Sequence, residues 1–175
     1  PVGARSAAEL AEVGVPDLRT VLTRYADAPI IIELKENRTA SARAVVDAVR
    51  SVDAVRRVCV GGFGWWALRA VRALEPTVAT SAAREEVRWA LYRSWCGWPV
   101  AHPLFAGYQV PELAGTTRVV SPRFIEHAHR AGLGVQVWTV DSPDDARRLL
   151  SWGVDALISD RPDLVVPVAR AARSR

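Results

Sequence analysis

The chain has 175 residues, half of them hydrophobic, with both charge signs interspersed and a formal net charge of +4. That composition excludes disordered and fibrous classes and suffices for one domain with a buried core. The basic residues are scattered along helical stretches and not interleaved with aromatics, no apolar run reaches the roughly 20 residues of a membrane helix, and the start has no leader pattern, so neither a nucleic-acid partner nor a transmembrane segment is expected.

Strand-type and helix-type segments alternate. Ala28–Lys35 is a β-branched run and reads as a strand. Thr39 is placed to cap a helix through Val52, with Ala44, Val45, Ala48 and Val49 on its apolar face. Val55–Val60 reads as the next strand, broken by Gly61-Gly62-Phe63-Gly64. A helix follows from about Trp65 to Leu74 and is stopped by Pro76. Thr77–Ser81 is a third strand, and Ala82 to about Trp95 a third helix. Gly97–His102 is a loop rich in aromatics and proline, and Ala106–Val110 a short strand.

Ser121-Pro122 caps a helix that Gly132 ends, and Val135–Val140 is a strand. Ser142-Pro143-Asp144-Asp145 repeats the cap, and Gly153 closes that helix. Val154–Ser159 is the last strand, and Arg161-Pro162-Asp163 opens the last helix. Short links between strands and helices imply βα units around a parallel sheet. The strands are near-continuous apolar runs, as in sheets covered on both faces. With no linker in sight, residues 1–175 read as a single domain. A closed barrel and an open sheet both fit, but Gly61-Gly62-Phe63-Gly64 lacks dinucleotide-fingerprint spacing.

Parallel α/β folds bind ligands at the carboxyl ends of their strands. The polar and aromatic residues expected there are Glu33, Lys35, Phe63, Thr80, Ser81, Tyr108, Gln109, Trp138, Asp141, Ser159, Asp160 and Arg161. Glu33 and Lys35 lie two apart and so share a face. A carboxylate beside an ammonium suits a hard cation with an anionic substrate, and equally a structural ion pair. Lys35 is the single lysine of 23 basic residues, kept in an otherwise all-arginine set. Asp160-Arg161-Pro162-Asp163 reads either as a phosphate-binding loop or as an ion-paired helix start, and the structural reading is preferred. His127 and His129, two apart on a helix, cannot share a face, and with His102 they read as surface or structural residues. Cys59 and Cys96 lack metal or redox spacing and read as two buried thiols in a reducing compartment, so a cytoplasmic protein is expected.

Several stretches resemble one family. Ile30–Lys35 is similar to an "IEIK" strand, Val135–Asp141 to "VWTVN", Gly153–Pro162 to "GVDGIITDRP", and Val15–Leu22 to an "IPTLEEVL" helix. The family is the glycerophosphodiester phosphodiesterases, related to phosphatidylinositol-specific phospholipases C. The resemblance implies a TIM (β/α)8 barrel of the phosphatidylinositol-phosphodiesterase type. It implies metal-dependent hydrolysis of glycerophosphodiesters to glycerol 3-phosphate and an alcohol, within lipid and glycerol metabolism. The cation implied is Ca2+ or Mg2+, with Glu33 one of its ligands. Lys35 matches a lysine near the phosphate and Trp138 a cleft aromatic. Phe63 and Gln109 complete the expected substrate contacts.

Two departures matter. Gly62 stands where the family usually has serine. The family's opening "HRG", "E-x-D" and "HD" segments, which carry the catalytic histidines and other metal carboxylates, are not found before Val15. The expectation is therefore the carboxyl-terminal two-thirds of a barrel with its first strands missing, a fragment with no catalytic residue within the chain and no activity alone. The absence of any methionine fits a fragment and, equally, a chain whose initiator methionine has been cleaved; the missing segments favour the fragment. Exposed barrel edges then imply self-association. The alternative is a catalytically dead barrel that binds a ligand or partner, and a third reading, an unrelated barrel lyase, lacks a visible catalytic set.

Overall fold

Burial alternates along the strands, and that alternation decides which face of each sheet carries helices. The structure, a computed structural model, describes residues 5–99 and 102–173. It divides into two units, Pro1–Ala79 and Thr80–Arg175.

The first unit runs α1 (Ala7–Glu12), α2 (Leu18–Arg24), β1 (Ile30–Leu34), α3 (Thr39–Ser51), β2 (Val58–Gly62), α4 (Trp65–Leu74) and, at its boundary, β3 (Ala79–Thr80). Strand order is β1-β2-β3, with β1 and β2 parallel. α1 was not expected from the sequence; Ser6 and Glu9 form a reciprocal capping box at its start. Asp17 caps α2 by accepting from the Thr20 amide at 3.0 Å.

Two expectations are corrected here. Thr39 lies inside α3 rather than capping it; Arg38 stands at the cap without a side-chain bond, and the buried face is Ala42, Val46, Ala48 and Val49. Spacing of four and three residues along Ala42, Val46 and Val49 keeps one stripe inward. The strand expected from Val55 begins only at Val58, because Val55–Arg57 is a 3-10 turn. That turn aims Arg57 at the carbonyls of Leu22 (2.6 Å), Tyr25 (3.0 Å) and Ala28 (3.1 Å). The guanidinium thus satisfies carbonyls around the end of α2 that have no helical donor.

The second unit holds α5 (Arg84–Cys96), β4 (Gly107–Pro111), β5 (Leu113–Ala114), β6 (Thr117–Arg118), α6 (Pro122–Arg130), β7 (Gly134–Trp138), α7 (Pro143–Ser151), β8 (Ala156–Leu157) and α8 (Pro162–Arg173). β4, β7 and β8 form a parallel sheet in that order, and β5–β6 is a small antiparallel hairpin absent from the sequence reading. The Ser-Pro caps act as expected: Ser121 Oγ accepts from Phe124 N at 3.2 Å and Ser142 Oγ from Asp145 N at 3.4 Å. A Cβ on Gly107 would sit 2.5 Å from the Gly134 carbonyl oxygen, so these strands approach here only because residue 107 lacks a side chain.

Tyr108, Phe124, Ile125, Val135, Val137 and Leu149 form the core of this unit, each at most 2% exposed. Phe105, Tyr108 and Phe124 stack in sequence at 5.3 and 5.1 Å between ring centroids. Cys59 is half-buried and Cys96 exposed, so the expected pair of buried thiols is not found. The inward side of α5 is taken by Ala90, Leu91 and Ser94, which turns Cys96 outward. The parallel α/β class is confirmed; among the described residues no closed barrel is seen.

A polar clamp holds the hairpin to α7. Glu112 accepts two bonds from Arg148, at 2.7 and 2.9 Å, and one from Arg118 at 2.6 Å. Both guanidiniums lie over the Trp152 ring, at 4.9 and 5.9 Å. The Arg148 and Arg118 bonds hold the Glu112 carboxyl below its ordinary range. A depressed carboxylate stabilises the fold above its unfolded pKa of about 4.3, and the contribution is lost as pH falls through the lower folded value. Glu112→Gln should therefore cost about 1 kcal/mol at pH 6, given the partial exposure of the arginines, and little at pH 2. Urea unfolding at both pH values checks this; an equal difference at both would refute it.

Candidate active site

In the first unit β1 and β2 bring Glu33 and Lys35 to a strand carboxyl end. Lys35 Nζ donates to Glu33 Oε2 at 2.5 Å, and the side chains are 78% and 40% exposed respectively. Val58 and Val60 are buried, while Ile31 and Glu33 are exposed. α3 and α4 pack on each other and α4 on β2. The buried alternate positions thus mark the helix side, and Glu33 points from the opposite, open face. Its partner across the strands is Gly61, which puts no side chain beside the carboxylate. Phe63, just past β2, is 46% exposed.

Asn37 was missed by the sequence reading. Its Oδ1 accepts from the Ala67 amide at 3.0 Å, in the first turn of α4, whose cap residue Gly64 has no side chain to offer. A Cβ on Gly64 would meet Asn37 atoms at 2.4–2.6 Å, so the glycine is what admits that side chain. The bond pins the loop after Lys35 to the loop after Phe63. Gly62, where serine was noted as usual, is explained locally: a Cβ there would lie 2.9 Å from the Leu34 carbonyl oxygen. Gly62→Ser should destabilise the fold by about 1–3 kcal/mol through that backbone clash. An unchanged urea midpoint would show that β1 yields without cost.

In the second unit Gln109 and Gln136 pair across β4 and β7, with Gln109 Nε2 donating to Gln136 Oε1 at 3.1 Å. Trp138, two residues beyond Gln136, is half-buried on the same face. Gln136 was not singled out from sequence, yet it occupies the same non-core phase of its strand as Gln109. Tyr108 does not belong to this face: it is wholly buried among Phe105 and Phe124, and burial pushes its phenol far up. Thr80 and Ser81 are also buried.

Asp141 joins the strand ends. Its Oδ1 accepts from Ser159 Oγ (2.9 Å), Asp160 N (2.8 Å) and Arg161 N (3.2 Å). Arg161 donates two bonds to Asp163, at 3.0 and 2.8 Å. These amides and this guanidinium are already engaged, which favours the ion-paired helix start over a phosphate loop. The histidines are structural on helix α6: His127 Nε2 meets the Trp98 carbonyl at 2.6 Å, and His129 Nε2 meets Asp155 Oδ2 at 2.9 Å. Among the described residues no group of three His, Cys, Asp or Glu side chains could hold a metal. A hard divalent cation takes six or more oxygens, so Glu33 alone does not make its site.

Parallel strands alternating with helices make this an α/β protein, with polar and aromatic residues at the carboxyl ends of its strands. The model of the glycerophosphoryl diester phosphodiesterase family matches residues 2–164, and the chain belongs to that family. It is 30% identical over 164 residues to a Mycobacterium tuberculosis protein named "Probable glycerophosphodiester phosphodiesterase 2", covering 86% of this chain and 58% of that one. It is 23% identical over 126 residues to the glycerophosphodiester phosphodiesterase of Caldanaerobacter subterraneus, covering 72% of this chain and 48% of the other. The chain thus spans 58% and 48% of the lengths of these curated relatives.

Its fold is shared with a glycerophosphodiester phosphodiesterase from Parabacteroides distasonis, at 22% identity and a TM-score of 0.69, over 91% of this chain and 65% of that one. It is also shared with an Oleispira antarctica phosphodiesterase solved with sn-glycerol-3-phosphate, at 19% identity and a TM-score of 0.64, over 89% and 61%.

Proposed function

We propose that the whole protein hydrolyses glycerophosphodiesters to glycerol 3-phosphate and an alcohol, and that residues 1–175 form the carboxyl-terminal part of its (β/α)8 barrel. The observation that carries this is the Glu33–Lys35 pair, held on the open face at the end of β1. Lys35 neutralises a phosphate oxygen as a compact charge. Glu33 orients that ammonium and supplies one oxygen to a Ca2+ or Mg2+ ion. The ion's remaining ligands, and the acid–base groups, lie outside this chain. Phe63, Gln109 and Trp138 contact the substrate.

The test uses glycerophosphocholine with Ca2+ or Mg2+ and an assay for released glycerol 3-phosphate. Residues 1–175 alone should show no turnover above the no-enzyme control, and the longer gene product should be active. Turnover by residues 1–175 would sink the assignment of the acid–base groups elsewhere. A longer product that is inactive yet binds the substrate would favour the alternative, a binding module on the same fold.

A further inference from the structure

α5 carries a surface that its own fold does not use. Its inward residues are Ala90, Leu91 and Ser94. Its outward arc holds Glu85, Arg88, Trp89, Tyr92, Trp95 and Cys96, a single acidic group among the aromatics, and Trp98 follows in the loop. The exposures of the four aromatics are 61% for Trp89, 47% for Tyr92, 54% for Trp95 and 61% for Trp98. Three of the chain's seven tryptophans thus fall within ten residues and point outward. Trp89 and Tyr92 already touch edge to face, with centroids 6.2 Å apart. An ordinary surface helix puts polar side chains on this face, and a contiguous aromatic patch marks an interaction site.

A polar cleft of about 260 Å³ lies beside the end of this ridge, lined by Ser94, Gly97, Arg123, Glu126, His127 and Arg130. His127 is 9% exposed, and its Nδ1 has no hydrogen-bond partner. Its Nε2 faces the Trp98 carbonyl at 2.6 Å and so carries the proton. Glu126 is held by Arg130, and Glu86 accepts from the Ala83 amide. Arg88 and Arg123 have no ion-pair partner among the described residues.

We infer that this surface docks the protein on an anionic lipid bilayer. Tryptophan and tyrosine have the apolar body and polar tip that settle at the headgroup level. Arg88 and Arg123 supply the complementary charge for an anionic leaflet. The phosphate of an anionic headgroup would sit on Arg123, on the rim of the cleft. A second copy of the chain is the less favoured occupant, since it would bring the same net charge of +4 to this face. Gly97 and Trp98 precede the amino end of β4, whereas Trp138 lies at the carboxyl end of β7.

The experiment is co-sedimentation of the protein with vesicles of phosphatidylglycerol and phosphatidylcholine, and with phosphatidylcholine alone. Binding to the anionic vesicles is expected, with a blue shift of tryptophan emission. The triple variant Trp89→Ser, Trp95→Ser, Trp98→Ser should lose at least about tenfold in vesicle affinity. Its thermal melt should be unchanged, because these side chains are exposed. Arg88→Gln with Arg123→Gln should lose about fivefold per arginine on anionic vesicles and nothing on neutral ones. No binding to anionic vesicles, or binding indifferent to the tryptophans, overturns the proposal. So does saturation by inorganic phosphate without vesicle binding, which indicates a soluble-anion site. A tryptophan-dependent change in sedimentation of the protein alone indicates a second copy, and overturns it as well.

Discussion

Replacing Lys35 by Met in the full-length gene product should lower kcat on glycerophosphocholine by about 100- to 1000-fold, the usual effect of removing one preorganised charge from a phosphoryl centre. The fold should hardly notice. Lys35 is 78% exposed and its ion pair with Glu33 is a surface pair, worth about 0–1 kcal/mol. Size of effect therefore separates the two readings of this pair. A structural ion pair predicts a small stability loss and normal turnover; a phosphate contact predicts normal stability and a collapse of kcat. Lys35→Arg keeps the charge but spreads it over a planar fork, so it should recover only part of the rate. Kinetics and urea unfolding on the same two variants decide it, and unchanged kcat in Lys35→Met would remove Lys35 from the site.

Much of the fold was legible because its signals are local. Ser121-Pro122 and Ser142-Pro143 announce helix starts within four residues, and both caps form. Polar Gln109 and Gln136 sit between buried neighbours in their strands, a period of two that already places them off the core face. What failed depended on contacts distant in sequence. Val55–Val60 has strand composition throughout, yet its start turns so that Arg57 can reach carbonyls 29 to 35 residues earlier. The inward stripe of α3 was misphased because alanines and valines occupy several faces, and packing against α4 selects among them. Asn37 was invisible because its partner is an amide 30 residues away. Glu33 and Lys35 stood out for their spacing and for the solitary lysine, but only the burial alternation shows which way they point.

The chain should also self-associate through β1, and Ile31→Lys should weaken that association about 100-fold. Among the described residues β1 pairs with β2 alone, so its outer edge offers unpaired amides and carbonyls. Such an edge is a template for a second strand unless charge or cover blocks it. Ile31 is 47% exposed on the open face, one residue pair away from Glu33. Two copies meeting edge to edge about a two-fold axis would join their backbones and bury both isoleucines. Each isoleucine moved fully from water contributes about 1.5–3 kcal/mol, so partial burial of two accounts for roughly two orders of magnitude in affinity. A lysine at this position replaces that gain with like charges facing each other across the axis. If further strands of the barrel cover this edge, as proposed, the longer gene product should be monomeric where residues 1–175 are not. Sedimentation velocity over a concentration series on both lengths, with and without Ile31→Lys, makes the comparison. Residues 1–175 remaining monomeric throughout would mean that the edge is already protected, and that the strand-cover argument is wrong.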